Sequence, residues 1–537
     1  MPVFKSRIQP QSAEFQNNRE HMEAGVAQVR EIEKRVLDTA EAKIPRYRKR
    51  GYISPRERLN LLLDPGAPFL ELYSLAGYMQ GNDTDGSAAG GTCIAGIGYV
   101  KGTRCAIYVD DYLTKGGSIS RYGAEKRMNM QMIALNKKMP FIVLAQSAGG
   151  DLREAGDMFG ASGKFFANQA RLSAAGIPQI TVVHGSATAG GAYQPGLSDY
   201  IVMIRRQSTV YLAGPPLLKA ATGEIATDEE IGGAELHCQV SGVSDYMAEN
   251  DADGIRLARQ IMEKIQWNKN LPALSQKDYA APVYPPEEMI GIVPADPKEP
   301  YDCREIMARI ADGSDILDFK ADYDTGTVCA FMEVHGQACG VLGNNAPITS
   351  DGAAKAAQFM QLCEQSDTPL VFLHNTTGFL VGTEAESRGI IKHGSKMIQA
   401  VTNTTVPKIA FIVGGSYGAG NYAMCGRGMD PDFVFAWPRS VVSIMGPAQA
   451  GSVLRQVAHA RMEKMRQVDE NFLDQIEADT RKALEERSHA LANTARLWDD
   501  GLIDPRDTRS ILGFVLDICH EAKIRRVKPN TFGIARM

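Results

Sequence analysis

Short runs of apolar, often β-branched residues alternate along the chain with longer segments whose apolar residues recur at helical spacing. We predict buried strands at four of these runs, FIVLAQ, ITVVHG, LVFLHN and IAFIVGG, because parallel strands are covered on both faces. Helical spacing predicts helices over Ala124–Lys138 and Gly352–Cys363. The repeating unit is therefore strand, glycine-rich turn and helix, which is typical of an α/β fold.

Two polar segments and one proline cluster lie outside this core pattern. Residues 12–49 and 462–499 are rich in charge, and we expect helices with solvated faces there. Prolines cluster over residues 281–300, which favours a join between domains. The predicted organisation is a helical extension over residues 1–50, one domain over 51–290 and a second over 291–537.

One pattern occurs twice. The stretch IPQITVVHGSATAGGAY, from Ile177 to Tyr193, aligns without gaps with VPKIAFIVGGSYGAGNY, from Val406 to Tyr422, at an offset of 229 residues. The same offset pairs MPFIVLAQSAGG with TPLVFLHNTTGF, and an offset of 234 pairs YVKGTRCAI with EVHGQACGV. Three matched pairs in the same order indicate an internal duplication, so the predicted fold is two tandem copies of one α/β domain.

Composition narrows the class of protein. A chain of 537 residues is long for one domain of about 150 residues, and its net charge of −5 argues against a nucleic-acid binder. The chain has no run of 18 apolar residues, and nine cysteines without a Cys-x-x-Cys pair argue against a disulfide framework or a zinc site. We therefore expect a cytoplasmic protein with no membrane span and no bound metal; a mitochondrial-matrix form whose transit peptide is removed stays open.

The duplicated glycines suggest a chemistry. Gly190 and Gly191 lack side chains, so the backbone can turn sharply and present its N–H groups at the positive end of a following helix. Donors fixed in this way suit an oxyanion hole, in which a carbonyl oxygen gains negative charge. A tight turn that needs close packing is the alternative, and the second copy at the same register favours the functional interpretation.

Other common chemistries lack their motifs. We find no Gly-x-x-x-x-Gly-Lys-Ser/Thr loop, no dinucleotide-binding glycine pattern and no His-Glu-x-x-His pair. The chain offers hydrogen-bond donors without an obvious nucleophile or side-chain base. This combination suits an enzyme whose base arrives with a cofactor.

Several longer motifs resemble one enzyme family. They are AGPPLLKAATGE (Ala213–Glu224), GGAELHCQVSGVSD (Gly232–Asp245), NTTGFLVG (Asn375–Gly382), GGSYGAGNYAMCGR (Gly414–Arg427) and ARLWDDGLIDPRDTR (Ala495–Arg509). Together they resemble the carboxyltransferase (β) subunit of biotin-dependent acyl-CoA carboxylases, from RERLNLLLDPG at Arg56 onward. The resemblance implies a pair of crotonase-like ββα-spiral domains, which agrees with the duplication found independently.

The resemblance also implies partners and a mechanism. Carboxybiotin is carried by a partner α subunit, with biotin carboxylase and biotin carrier functions, which uses ATP and bicarbonate. Once carboxybiotin has released its carboxyl group, the resulting biotin enolate removes the substrate proton and the substrate enolate attacks the carboxyl carbon, so two oxyanions develop and two holes are needed. By resemblance, Gly190 and Gly191 serve the thioester carbonyl of the acyl-CoA, and Ala419 and Gly420 serve the ureido carbonyl of biotin. A homo-oligomer is implied, with a β6 core in an α6β6 complex.

Further site residues carry over from the same resemblance. On the CoA side they are Lys115, Gly116, Gly117, Ala148 and Gly149, although Ala148 and Gly150 exchange glycine and alanine relative to the family loop. In the biotin pocket they are Thr377, Gly378, Phe379 and Val381. A solvated lysine at 115 and a core phenylalanine at 379 are the structural alternatives.

The branch of the family bears on the substrate. The TTGF pattern at Thr376–Phe379 resembles the branch that carboxylates the γ carbon of 3-methyl-enoyl-CoAs, namely 3-methylcrotonyl-CoA and geranyl-CoA. Ser162 and Ala167 stand where bulky aromatic residues are usual in the short-substrate pattern, which favours geranyl-CoA and places both in the acyl pocket. The 3-methylcrotonyl-CoA enzyme of leucine degradation is the alternative. Hydratases, isomerases, thioester hydrolases, decarboxylases and a non-catalytic scaffold also use this fold and stay open.

Overall fold

The computed structural model describes residues 3–151, 153–269, 271, 278–296 and 299–535. The chain divides into two compact units. The first unit comprises Glu31–Leu274, Ala495–Leu497 and Ile518–Met537, and the second comprises Met1–Arg30, Ser275–Thr494 and Trp498–Asp517. Both units are discontinuous in sequence, and the continuous domains over 1–50, 51–290 and 291–537 stay a prediction.

The first unit is built on a mixed sheet. Its strands are β1 (Leu70–Glu71), β2 (Cys93–Val100), β3 (Thr103–Asp110), β4 (Ser118–Ile119), β5 (Phe141–Ser147), β6 (Gly149–Gly150), β7 (Gln179–Thr188), β8 (Tyr200–Ile204), β9 (Thr209–Tyr211) and β10 (Tyr246–Ala248). The sheet order is β1-β2-β3-β5-β7-β8-β10, with β9 paired to the end of β7. The pairs from β3 onward are parallel, and a small separate sheet joins β4 to β6.

The second unit repeats this sheet. Its strands are β11 (Leu317–Asp318), β12 (Thr327–Val334), β13 (Gln337–Asn344), β14 (Leu370–Thr376), β15 (Lys408–Tyr417), β16 (Phe433–Ala436) and β17 (Val441–Ser443). The order β11-β12-β13-β14-β15-β16, with β17 beside the end of β15, matches β1-β2-β3-β5-β7-β8 with β9 beside the end of β7, and the first sheet has one further edge strand, β10. The predicted duplication of one α/β domain is confirmed.

The two sheets share an irregularity. The β5–β7 ladder shifts register between Ala145 and Ser147, and the β14–β15 ladder shifts between His374 and Thr376. In both cases one residue of the shorter strand faces three of its neighbour, so the ladder is locally disrupted before pairing resumes at Ser147 and Thr376. The carboxyl ends of these strands are where an α/β fold places its ligands.

Helices cover the sheets. In chain order they are α1 (Ala13–Glu41), α2 (Ile44–Arg48), α3 (Pro55–Leu62), α4 (Arg121–Asn136), α5 (Ala155–Ala174), α6 (Tyr193–Gly196), α7 (Pro215–Thr222), α8 (Asp228–Gly232), α9 (Ala234–Gln239), α10 (Asp251–Ile265), α11 (Arg304–Ile310), α12 (Ser350–Gln365), α13 (Thr383–Ser387), α14 (Ile390–Asn403), α15 (Gly418–Ala423), α16 (Pro447–Lys464), α17 (Glu470–Ser488), α18 (Ala490–Ala495) and α19 (Thr508–Ile524). The helices predicted from the apolar spacing correspond to α4 and α12, and the two polar segments are also helical.

Each sheet has its own apolar core. In the first unit Ile142, Leu144, Ile180 and Val182 are fully buried along β5 and β7. In the second unit Phe372 and Ala410 are buried in the same way on β14 and β15. Full burial of a large aliphatic side chain is worth about 1.5–3 kcal/mol, so these strands form a stable base for the turns that follow them.

Candidate active site

The duplicated glycine stretch forms the same backbone turn in both units. In the first, β7 ends at Thr188 and a 3₁₀ turn covers Ala189–Ala192; in the second, β15 ends at Tyr417 and α15 starts at Gly418. Ala189 (φ 54°) and Gly418 (φ 53°) occupy equivalent positions and both adopt the left-handed conformation. This conformation is unfavourable for alanine, and such strain is concentrated at functional sites.

The predicted oxyanion-hole residues follow immediately. Gly190 and Gly191 lie in the first turn after β7, and Ala419 and Gly420 lie in the first turn of α15. The first N–H groups of a helical turn have no acceptor within it and lie at the positive end of its dipole. All four residues therefore carry backbone donors of the type that an oxyanion needs.

Close packing explains one of these glycines. A Cβ at Gly420 would lie 2.8 Å from the Cα atom of Gly378 and 3.2 Å from the side chain of Thr376, so no side chain fits there. A Cβ at Gly191 would lie 3.8 Å from Ser147 Oγ, which is an ordinary contact. Steric need thus accounts for Gly420 but not for Gly191.

The structure brings the predicted CoA-side residues together. Lys115, Gly116 and Gly117 are consecutive left-handed residues, with φ of 47°, 64° and 70°. The N–H of Ala148 donates to Gly117 O at 3.2 Å, and the N–H of Gly149 donates to Ser147 Oγ at 3.0 Å. The two loops form one surface through the β4–β6 pair, and a Cβ at Gly149 would lie 3.7 Å from Thr188 O, beside the 189–192 turn.

Lys115 has a more specific environment. Its Nζ donates to the backbone carbonyl of Asn82 at 2.7 Å, although the side chain is solvent-exposed. The ammonium group therefore lies on the exposed surface of this loop, where it is accessible to a phosphate.

An apolar cavity of about 160 Å³ opens beside the first turn. Its lining comprises Ile119, Ala124, Arg127, Met128, Gly150, Met158, Ser162, Phe165, Phe166, Gly190 and Gly191. Ser162 therefore shares a cavity with the predicted thioester glycines, and its hydroxyl donates to Met158 O at 2.8 Å. Ala167, the other residue predicted for the acyl pocket, does not line this cavity.

The predicted biotin pocket is only partly assembled. Gly378 (φ 111°) is buried against Gly420, and Thr377 beside it is exposed. Phe379 instead packs against the core of the second unit, where its ring would lie 3.0 Å from a Cβ at Gly394. Val381 is 84% exposed. Gly378 therefore lies beside Gly420 of the predicted oxyanion hole, whereas Phe379 packs against the core.

A buried polar network, which the sequence did not reveal, supports the end of β5. Gln146 Oε1 accepts hydrogen bonds from Tyr47 OH and from Arg58, at 2.6 Å for the latter. Arg58 also pairs with Asp251 at 3.2 Å, and Asp251 contacts His184 Nδ1 at 2.6 Å. Burial, together with Arg58, lowers the pKa of His184 to about 4, so this imidazole is neutral at neutral pH. The partners are up to 193 positions apart, and no local pattern indicates them.

Titratable groups elsewhere do not suggest a metal centre. Across the described ranges, no three or more His, Cys, Asp or Glu residues are grouped so that they could hold a metal ion.

Among the residues that the structure describes, no helix has the length and apolar character that a membrane crossing requires.

Comparison with known proteins agrees with this geometry. Residues 46–532 match the model of the carboxyl transferase domain family. The chain is 42% identical over 538 residues to a probable biotin-dependent acyl-coenzyme A carboxylase β2 subunit of Mycobacterium tuberculosis, with 100% of both chains covered. It is 43% identical over 505 residues to the biotin-dependent 3-methylcrotonyl-coenzyme A carboxylase β1 subunit of the same organism, with 92% of each covered.

A solved structure is more similar still. The crystal structure of the P. aeruginosa geranyl-CoA carboxylase β subunit superposes with a TM-score of 0.94 and 57% sequence identity, over 100% of both chains.

The duplicated fold has a donor-rich turn after the same strand in each copy, and the match to the carboxyl transferase domain family identifies it as an enzyme of carboxyl transfer. The chain belongs to the carboxyl transferase domain family, among the β subunits of biotin-dependent acyl-CoA carboxylases. The predictions of the fold, of the enzyme class and of this family are confirmed.

Proposed function

We propose that this β subunit transfers the carboxyl group of carboxybiotin to the γ carbon of geranyl-CoA. The observation that carries the proposal is the position of Ser162, a small residue on the wall of the cavity that also contains Gly190 and Gly191. The short-substrate pattern has an aromatic ring at this position. The likeness to a geranyl-CoA carboxylase β subunit over the whole chain gives independent support.

The two turns take the two oxyanions. The N–H groups of Gly190 and Gly191 hold the thioester oxygen, on which charge collects when the γ proton leaves, because the double bond relays that charge through a dienolate. Removal of one such donor typically costs about 3–4 kcal/mol of transition-state stabilisation. The apolar cavity holds the acyl chain and excludes water from the dienolate.

The second turn serves biotin. Bound carboxybiotin would supply the carboxyl group by releasing it in the site, and the biotin enolate left behind would supply the base for the substrate proton before the new carbon–carbon bond forms. The contact between Gly420 and Gly378 supports this role, because the surface there is backbone and suits a planar ureido group. Ala419 and Gly420 donate to the ureido oxygen, and Thr377, Gly378, Phe379 and Val381 complete the pocket, with Phe379 acting through its packing on the core.

The CoA moiety lies along the paired loops of the first unit. The N–H groups of Ala148 and Gly149 already donate within the loops, so these residues contact CoA through the shape of the surface. Lys115 meets a CoA phosphate, while Gly116 and Gly117 allow the close approach of the chain.

The complete enzyme contains a partner. We propose an α subunit with biotin carboxylase and biotin carrier functions, which uses ATP and bicarbonate, and a β6 core within an α6β6 complex. A cytoplasmic location is part of the same proposal. The relatives that are named as β subunits of biotin-dependent carboxylases support the biotin-carrying partner.

A competition assay tests the substrate. The β subunit and its biotin-carrying partner are combined with ATP and labelled bicarbonate, and kcat/KM is measured for geranyl-CoA and 3-methylcrotonyl-CoA. We expect label in both products and a higher kcat/KM for geranyl-CoA. A preference for 3-methylcrotonyl-CoA would replace the proposed substrate by the alternative. Relatives at 42–43% identity that are named as methylcrotonyl-CoA carboxylases favour this alternative. No label in either product would overturn the proposal.

A further inference from the structure

A buried guanidinium contacts a ring on the wall of the acyl cavity. Arg127 lies on α4, is 3% exposed and lines the cavity. Its Cζ atom is 5.3 Å from the ring centroid of Phe165, which lines the same cavity, and 4.2 Å from that of Tyr108. Both distances are within the range at which a cation is attracted to an aromatic face. Phe165 in turn packs edge-on against Phe166 at 5.0 Å.

The same guanidinium reaches the CoA-side loop through a carboxylate. Arg127 forms an ion pair with Asp110, and both side chains are buried. The other carboxylate oxygen of Asp110 accepts the backbone N–H of Gln146 at 3.1 Å. Gln146 occupies the register shift between β5 and β7 and directly precedes Ser147 and the glycine loop. Burial lowers the pKa of Arg127, but the Asp110 carboxylate outweighs this and raises it above its ordinary value, so the side chain stays charged.

The second unit shows which of these features the fold itself needs. Lys126, the neighbour of Arg127, has a counterpart in Lys355, and both buried ammonium groups donate to backbone carbonyls. Ala356 stands at the position equivalent to Arg127, and Asn344 stands at the position equivalent to Asp110. The domain thus folds without the ion pair in one copy and keeps the lysine in both.

The contact with the ring is also confined to the first unit. Helix α14 aligns with α5 at the offset of 229, and Gly394 stands at the position equivalent to Phe165. Neither the cation nor the ring is present in the second copy. Arg127 and Phe165 occur together only in the copy that contains the acyl cavity. This restriction points to a role in binding the acyl group.

We infer that Arg127 is a positioning residue that sets acyl-chain selectivity by holding the ring of Phe165 and, through Asp110, holds the backbone at the entrance of the CoA-side loop at 148–150. The inference rests on the proposal that this cavity takes the acyl chain. The two contacts have separate consequences. Loss of the ring contact weakens the binding of a long acyl chain, and loss of the ion pair disturbs the CoA-side loop for every substrate.

Two variants of Arg127 separate these consequences in the complex with the biotin-carrying partner. R127K keeps a cation for Asp110 but replaces the broad, weakly hydrated guanidinium beside Phe165 by a compact, strongly hydrated ammonium. We therefore expect KM for geranyl-CoA to rise about tenfold while kcat for both thioesters changes less than threefold. R127Q leaves Asp110 without a counterion, so we expect kcat for both thioesters to fall more than tenfold. D110N/R127Q removes both charges and should recover most of kcat while retaining the raised KM.

Arg104 provides the matched control. It lies in the same unit, is buried, pairs with Glu521 at 2.9 Å and contacts the ring of Tyr99 at 5.1 Å, but it does not line the cavity. R104K should change kcat/KM for the two thioesters by the same factor. The inference is overturned if R127K does the same, or if D110N/R127Q recovers no kcat relative to R127Q.

A double-mutant cycle gives a readout that needs no substrate. Unfolding in urea is compared for the wild type, R127K, F165L and R127K/F165L. If Arg127 holds Phe165, the effects are coupled and the double variant loses less stability than the two single variants predict together. Additive effects would overturn the inference. If the wild type converts neither thioester, the proposed function fails, and this cycle still decides whether the contact exists.

Discussion

Filling the acyl cavity at Ser162 should reverse the preference of the enzyme for chain length. Ser162 lies on the cavity wall beside Phe165 and Phe166, and the whole cavity measures only about 160 Å³. A phenylalanine ring at this position would occupy space that the longer chain needs. We therefore expect Ser162→Phe to weaken the use of geranyl-CoA and to spare 3-methylcrotonyl-CoA.

The magnitude follows from the five carbons by which the two acyl groups differ. At about 0.8 kcal/mol for each buried carbon, full burial of the extra chain is worth about 4 kcal/mol, and half burial about 2 kcal/mol. Since about 1.4 kcal/mol corresponds to a factor of ten, the ratio of kcat/KM values should fall by about 30-fold or more. Overpacking of a tight site typically adds about 1–3 kcal/mol, so some loss for the short thioester is expected as well.

The assay is kcat/KM for both thioesters with the reconstituted complex. Ser162→Ala is the control, because it removes the hydroxyl without filling the cavity and should leave the ratio unchanged. Ala167→Tyr tests the second position predicted from the sequence; it does not line the cavity, and we expect a smaller effect there. A ratio within twofold of wild type for Ser162→Phe would refute the assignment of this cavity to the acyl chain.

Three further predictions address the biotin side, helix α5 and pH. Gly420→Ala should abolish carboxyl transfer, because its Cβ would lie 2.8 Å from the Cα atom of Gly378. Gly428→Ala is the control and should leave activity intact, because no atom lies within 4 Å of its Cβ. Equal activities of the two variants would contradict this prediction. Gly160→Ala should stabilise α5 by about 0.5–1 kcal/mol, since its Cβ meets nothing within 4 Å, and a lower urea midpoint would count against it. Burial raises the pKa of Asp499 to about 7, so its protonated form is favoured in the folded state and stability is lost as pH rises from about 4 to 7. Asp499→Asn should therefore be more stable than wild type in urea at pH 8, with a gap that narrows toward pH 5; a gap independent of pH would show that Asp499 is not the group responsible.

The sequence alone determined the repeated architecture. Buried parallel strands are unbroken apolar runs in the sequence, and their spacing from the glycine turns is a local property. The offset of 229 residues therefore identifies equivalent strands from the sequence alone. The turns at Gly190 and Gly420 were predicted for the same reason: a glycine-rich strand end is visible in a few consecutive letters. The small residue at 162 was also visible, although only a family pattern indicated what it replaces.

Tertiary structure decided which of these residues meet. Ser162 lines the cavity and Ala167 does not, because their side chains leave one helix in different directions and only packing shows which direction faces Gly190. Phe379 packs against the core, partly buried, because Gly394 leaves room for its ring. The pair of Arg127 and Asp110 was invisible in the sequence, since a buried charge is stable only beside its partner and that partner lies on another element. Periodicity reports the environment of a single element, whereas a site is assembled from contacts between elements.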